Sequence, residues 1–223
     1  MQKFDTIAPI AAILDIPAGR VRFIAADRSD STVEVLPADA SKKRDVKLAE
    51  QIKVAYADGV LRIEAPAATS QLLGPTGSVE VTVQLPSGSR VEAKAPAAEF
   101  RAVGRLGDVT IEGAYGPIKI DEAASARITT AAGDVTIGRL GGPAEISTQK
   151  GDIRVAEAVR GTVVLRTEAG DVSIDAAPGV SAAMNAGTSH GRIHHALSNT
   201  EGAAAQLDIH ATTGYGDITG RSL

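Results

Sequence analysis

Short bursts of strict apolar–polar alternation, each opened by glycine, dominate the second half of this sequence. Gly-Asp-Val-Thr-Ile occurs at 107–111 and again at 133–137, with close copies at 151–155 and 170–174 and a shortened one at 216–219. Gly-Arg-Ile-His-His at 191–195 fills an equivalent slot, and Gly-Pro-Ile-Lys-Ile (116–120), Gly-Pro-Ala-Glu-Ile (142–146) and Gly-Thr-Val-Val-Leu (161–165) are weaker members. Glycines 133, 142, 151, 161, 170 and 179 are separated by 9, 9, 10, 9 and 9 residues. Side chains alternate across a strand, so each Gly-x-apolar-x-apolar unit predicts a half-buried strand with its second and fourth followers inward. The predicted inward pairs are Val109/Ile111, Ile118/Ile120, Val135/Ile137, Ala144/Ile146, Ile153/Val155, Val163/Leu165 and Val172/Ile174, with Leu140 and Val159 as a third apolar position. Glycine suits the corners, where a sharp turn often needs positive φ.

Two architectures fit this local pattern: a meander of hairpins, or stacked parallel coils. The units alternate between Gly-Asp and Gly-Pro or Gly-Thr kinds, which makes the true period about 18 residues, one coil of two unlike halves. Threonine recurs three residues before the glycine at Thr130, Thr148, Thr167, Thr188 and Thr213. Like residues stacking on like across the ~4.8 Å between strands favours the coil. The expectation is therefore an all-β, right-handed parallel β-helix (β-solenoid) of about 18 residues per coil over 101–223. Residues 1–100 predict a less regular N-terminal β region that starts and caps it. There Gly19, Gly59 and Gly77 each open a unit of the same grammar, and Val33/Val35, Ile52/Val54, Val79–Leu85 and Val91/Ala93 read as strands. Pro37–Gln51, with Lys42, Lys43 and Arg44, reads as a polar excursion able to hold a helical turn. A separate N-terminal sandwich is the alternative.

Stacking in chain order puts Asp134, Asp152 and Asp171 in an acidic ladder, broken by Arg192 and resumed at Asp217, with Asp108 out of phase. Such carboxylates either bind a cation or accept backbone N–H bonds at a turn, and the second needs no ligand. The residue before each turn glycine forms another column, Ala132, Lys150, Ala169, His190 and Tyr215, which brings His190 next to Tyr215. After Gly179 the spacing loosens and the predicted inward residues shrink to Ser181, Ala183 and Ala186, with a loop over 197–205.

Composition narrows the function. The 223 residues include only three Phe, three Tyr and no Trp, which suits a narrow aliphatic core and offers few flat platforms for sugars. A net charge of −4 gives no basic footprint for nucleic acid, and the absence of cysteine removes disulfides and thiolate metal sites. No stretch approaches the ~20 apolar residues of a membrane helix, and the start shows no long apolar signal region, so the expected location is cytoplasmic. All four histidines, His190, His194, His195 and His210, lie late in the chain. They invite a metal or acid–base reading, yet His194 and His195 point to opposite faces of one strand and lack partners at ligand spacing. No nucleophile elbow, phosphate loop or dinucleotide fingerprint is present.

The motif Thr-x-x-Gly-Asp-Val-x-[Ile/Val] with glycine every nine residues, led in by the strand pair Val79–Ala93, resembles the bacterial β-strand-repeat family of unknown function labelled "putative adhesin". The resemblance is best over 77–220, and the Ala- and Arg-rich composition is similar to actinobacterial members. It implies a right-handed β-helix, no established activity, and no catalytic residues to carry over. Sequence alone thus predicts a non-enzymatic scaffold with no catalytic, cofactor or metal residues, binding protein partners or copies of itself. A carbohydrate-active β-helix lyase or hydrolase is the alternative, resting on fold analogy. The outward positions Thr110, Lys119, Thr136, Glu145, Arg154, Val164 and Ser173 are too mixed for a converging acid–base set.

Overall fold

The computed structural model describes residues 1–66 and 77–223, which divide into two compact units, Met1–Tyr115 and Gly116–Leu223. Among the described residues both are all-β apart from one short helix and a 3-10 turn.

The first unit holds β1 (Gln2–Asp5), β2 (Ala11–Asp15), β3 (Ala18–Ala26), β4 (Asp30–Pro37), α1 (Lys43–Gln51), β5 (Lys53–Ala57), β6 (Val60–Glu64), β7 (Val79–Pro86), β8 (Arg90–Lys94) and β9 (Ala97–Tyr115). Its parallel pairings form two stacks. In one, β2 lies between β6 and β8, and β8 continues to β9; in the other, β3 lies between β7 and β9. The glycine grammar holds here: Val21 and Phe23 after Gly19, Leu61 and Ile63 after Gly59, and Val79 and Val81 after Gly77 are all buried. Three antiparallel pairings, β1 with β4, β4 with β7 and β5 with β6, interrupt the parallel rule. The polar excursion is α1, which packs beside β4 and β7. Its buried Asp45 accepts a hydrogen bond from the Ser78 N–H at 3.0 Å, tying the helix to the entry of β7.

Asp30 opens β4 and is held by Arg28 and by Lys3 at 3.1 Å. The hydrogen bonds from these two cations lower its carboxyl from 3.8 to about 2. A depressed carboxyl stabilises the fold above its unfolded value, and that contribution disappears as pH falls through the folded one. We predict that an NMR titration finds the Asp30 midpoint near 2, and that Arg28→Ala moves it back toward 3.8. A wild-type midpoint already near 3.8 would break this account of β4.

The second unit contains β10 (Ile118–Ala132), β11 (Val135–Leu140), β12 (Ala144–Lys150), β13 (Ile153–Ala158), β14 (Gly161–Ala169), β15 (Val172–Ala176), β16 (Ala182–His190), β17 (Ile193–Ala196), a 3-10 turn (Gly202–Ala204), β18 (Leu207–Tyr215) and β19 (Ile218–Ser222). All its strand pairings are parallel, and through the regular part each strand pairs with the one two along. The first half of β10 pairs with β11, then β11 with β13 and β13 with β15; its second half pairs with β12, and β12 with β14. Parallel neighbours align like with like, so Val135 faces Ile153 and Ile153 faces Val172. Every predicted inward pair is buried. The corner apolar slot is filled by Ala123, Leu140, Ala158 and Ala176 in register, whereas Val159 is only half-buried one residue outside it.

The strands do not follow chain order to the end. β14 pairs with β18 and β15 with β19, while β16 and β17 pair with the far sides of β18 and β19. The chain therefore leaves β15, runs outward to β16 and β17, and returns through 197–206 to insert its last two strands beneath them. This corrects the expectation that 182–196 would stack directly on the preceding coil. It also corrects the phase: Ala182, Met184, Ala186 and Thr188 face Leu207, Ile209, Ala211 and Thr213 of the rung below. Ser181, expected inward, is instead a buried anchor for the return loop. Its hydroxyl bonds Asn199 and accepts the N–H groups of Thr200 and Glu201 at 3.1 Å.

The threonine column is buried except at Thr188 on the outer rung, and has a defined task. Thr167, Thr188 and Thr213 donate to the carbonyls of Gly151, Gly216 and Gly170 at 3.1, 3.0 and 2.9 Å, and Thr148 donates to the Lys150 carbonyl. Thr167 is buried and its hydrogen bond to the half-buried Gly151 is lost without a hydroxyl, so Thr167→Val should lower stability by about 1 kcal/mol despite its similar shape. A chemical denaturation midpoint unchanged from wild type would refute that role.

Candidate functional site

The acidic ladder is unbroken once the strand order is known. Asp134 accepts the Asp152 N–H at 2.9 Å, Asp152 accepts the Asp171 N–H at 2.8 Å, and Asp171 accepts the Asp217 N–H at 2.7 Å. Asp217 accepts the Arg192 N–H at 2.8 Å and also the Arg192 guanidinium, through Nη2 at 2.8 Å. Each carboxylate satisfies the backbone of the next rung, the backbone-accepting role open to an aspartate at a turn. Arg192 thus ends the ladder rather than interrupting it. Its backbone and side-chain hydrogen bonds hold the Asp217 carboxyl below its ordinary value, and Asp217 raises that of Arg192. Asp108 lies on β9 beside β8 in the first unit and is no part of this series.

The column before the glycines brings Tyr215 between Ala169 and His190. The His190 and Tyr215 rings stack at 4.6 Å with 7° between planes, and Tyr215 stays 63% exposed. The expected neighbours meet, although with Tyr215 beneath and His190 on the outer rung. The other histidines do not join them. His210 bonds Asp208 at 3.1 Å on β18, while His194 and His195 stand exposed on β17 opposite Thr219 and Gly220.

Outward charges on the regular strands pair along the stack. Glu145 lies between Arg127 at 3.3 Å and Arg166 at 3.5 Å, and Arg139 bonds Glu157. Arg221 grips the buried carboxylate of Asp175 through Nε and Nη2, both at 2.8 Å, which locks β19 onto β15.

In the second unit the repeat is left incomplete at its outermost strand pair, whose outer side the return loop meets where the Ala182 N–H donates to the Ser198 carbonyl at 3.0 Å. Among the described residues β16 pairs only with β18, and β17 only with β19. All of β17 is exposed, Ile193 at 44%, and an added methyl at Gly187 would meet nothing within 4 Å. Met184 and Leu197 lie over Gly220 and close part of the core beneath the rung. The exposed edge was not legible in the sequence, because chain order names Ile218–Ser222 as the last rung.

Among solved structures the chain is similar to a "putative adhesin" of Bacteroides fragilis NCTC 9343, at 12% identity and TM-score 0.48, covering 98% of this chain and 95% of that one. It is similar also to a "putative lipid binding protein" of Parabacteroides distasonis ATCC 8503, at 10% identity and TM-score 0.47, with the same 98% and 95% coverage. A "putative cell adhesion protein" of Clostridium sporogenes ATCC 15579 matches at 11% identity and TM-score 0.40, over 100% of this chain and 99% of that one. No curated protein matches the sequence. The model of the family described as Toastrack DUF4097, a family of unknown function, matches residues 13–219, so nearly the whole chain falls within it and the protein belongs to that family.

Proposed function

We propose that this protein is a non-enzymatic interaction scaffold: a right-handed β-solenoid of about 18 residues per coil whose exposed outer rung engages protein partners. The observation that carries the reading is the strand pair β16–β17, which pairs with other strands on one side only, is met on its outer side by the return loop at Ala182, whose N–H donates to the Ser198 carbonyl at 3.0 Å, and is exposed along all of β17. A free parallel edge offers a row of backbone donors and acceptors, the recognition surface used in strand addition. The alternative, a carbohydrate-active enzyme, needs carboxylates free to act as acid and base. Here Glu145, Glu157, Asp175 and the ladder aspartates are engaged by arginines or backbone N–H groups, which speaks for a structural use of those charges.

Two measurements test the proposal together. The purified chain should release no reducing sugar or unsaturated uronate from a panel of neutral and acidic polysaccharides. Peptides selected by display against it should bind through β16–β17, and so lose affinity on Ile193→Glu. Sustained turnover of a polysaccharide, or ligands that map elsewhere, would overturn the reading.

A further inference from the structure

The outer rung differs in charge from the rest of the chain. Ala176–Thr200 is the longest stretch of the sequence without Asp or Glu, in a protein of net charge −4, and it holds Arg192 with three of the four histidines. The fold brings that stretch to the edge where the parallel ladder is incomplete. We propose that the β16–β17 edge takes an extended acidic peptide segment as an added strand. The backbone of β16 beyond Ala182, whose N–H is already bonded to Ser198, supplies the ladder, and His190, Arg192 and His194 recognise carboxylates of the segment. This rests on the interaction-scaffold reading above and names the chemistry of its partner.

Two observations support an acidic strand over a second copy of this chain. A second copy meeting this edge with its own would set Arg192 and the same histidines against their equivalents, which repel when charged. Continuation of the aspartate ladder is also blocked, because the next rung's backbone N–H would find Arg192 where each earlier rung supplied a carboxylate. An incoming strand bearing its own carboxylate at that level reverses the geometry and gives the guanidinium a second acceptor.

The carboxylates near these side chains are engaged by other groups. His190 lies flat on Tyr215, with no acid in its column below, where Tyr215, Ala169 and Lys150 follow one another. His194 faces Thr219, and the nearest carboxylate acting on it, Asp217, is already held by Arg192. His195 faces Gly220, Ala196 faces Arg221, and Arg221 is committed to Asp175. On β18, Asp208 lies across from Ala183 and is paired with His210.

Fluorescence anisotropy with the intact chain tests this using a labelled peptide of alternating Glu and Val. Three controls accompany it: a Lys-for-Glu counterpart, the acidic peptide N-methylated on alternate residues, and the labelled protein alone. The acidic peptide should bind about tenfold more tightly at about 0.05 M salt than at about 0.5 M. The Lys peptide and the N-methylated peptide, which cannot form a ladder, should not bind. The double variant His190→Ala, His194→Ala should keep the wild-type melting curve, since these side chains are exposed, and bind the acidic peptide about tenfold more weakly. Equal binding of the Lys and Glu peptides, retained binding of the N-methylated peptide, or concentration-dependent self-association without peptide binding would each overturn the proposal. Those results leave the polysaccharide assay untouched, so failure of this inference is distinguishable from failure of the scaffold reading.

Discussion

Gly170→Ala will unfold the second unit at a far lower temperature than wild type, whereas Gly179→Ala will shift it only slightly. Both glycines have positive φ, +153° and +78°, and both therefore lose backbone freedom to a side chain. They differ in what surrounds them. A Cβ at Gly170 would lie 2.1 Å from the Gly151 carbonyl oxygen and 2.5 Å from its carbon, while one at Gly179 would meet nothing within 4 Å. The same collision recurs along the column: Gly133 against Gly116 at 2.1 Å, Gly151 against Gly133 at 2.4 Å and Gly216 against Gly170 at 2.0 Å. These contacts are backbone against backbone, so no rotamer change relieves them, and the rung spacing would have to open. Strain and overpacking together cost on the order of 3 kcal/mol or more at Gly170, against about 1 kcal/mol at Gly179. Thermal melts of the two variants decide the matter; equal shifts would mean that φ alone, and not rung spacing, fixes glycine at the corners.

The glycine column explains why so much of the fold could be read in advance. A coil that stacks on itself repeats its demands at every turn. The tight corner needs glycine, the next carboxylate needs a backbone N–H, and the buried threonine needs the glycine carbonyl. Each demand leaves a residue at fixed spacing, as in Thr167, Gly170 and Asp171 followed by Val172 and Ile174. The first unit was less legible because antiparallel pairs such as β5–β6 leave the same alternation in the sequence as parallel ones. What no spacing revealed is the order of the last rungs. Thr188, Gly191 and Ile193 follow the same grammar as Thr213, Gly216 and Ile218, so either segment qualifies locally for the inner position. The choice between them is made by packing and polarity. Leu207, Ile209 and Ala211 fill the core completely, whereas Met184 and Ala186 fill it only in part. Asp217 can both donate its N–H below and accept one above, whereas Arg192 can only donate. The candidate site followed from that order: the His190–Tyr215 contact was readable as a column, but the exposed edge was not.

Deleting everything after Gln206 should therefore do much more than trim a frayed end. If rungs stacked in chain order, the deletion would remove the outermost strands and leave 182–196 seated on the coil before it. In the observed order it removes an inner rung. Leu207, Ile209, Ala211 and Ile218 are all 0% exposed, and Val163, Leu165, Val172 and Ile174 lie against that rung in register. Burial of a large aliphatic side chain contributes about 1.5–3 kcal/mol. Losing three of them therefore removes on the order of 5 kcal/mol, comparable with the whole stability of many domains. The truncated chain should lose its cooperative transition in the second unit. Hydrogen exchange on the intact protein gives an independent reading. Amides of 207–222, on strands paired on both sides, should be protected close to the global limit, while those of 183–196, on strands paired on one side, exchange through local opening. Protection that instead falls steadily toward Leu223 would mean that the rungs follow the chain, and the edge on which partner binding is proposed would then belong to β18 and β19. The inserted order ties stability to function. The segment with the larger core residues and the laddering aspartate completes the stack, which leaves the acid-free, histidine-bearing segment as the exposed rung.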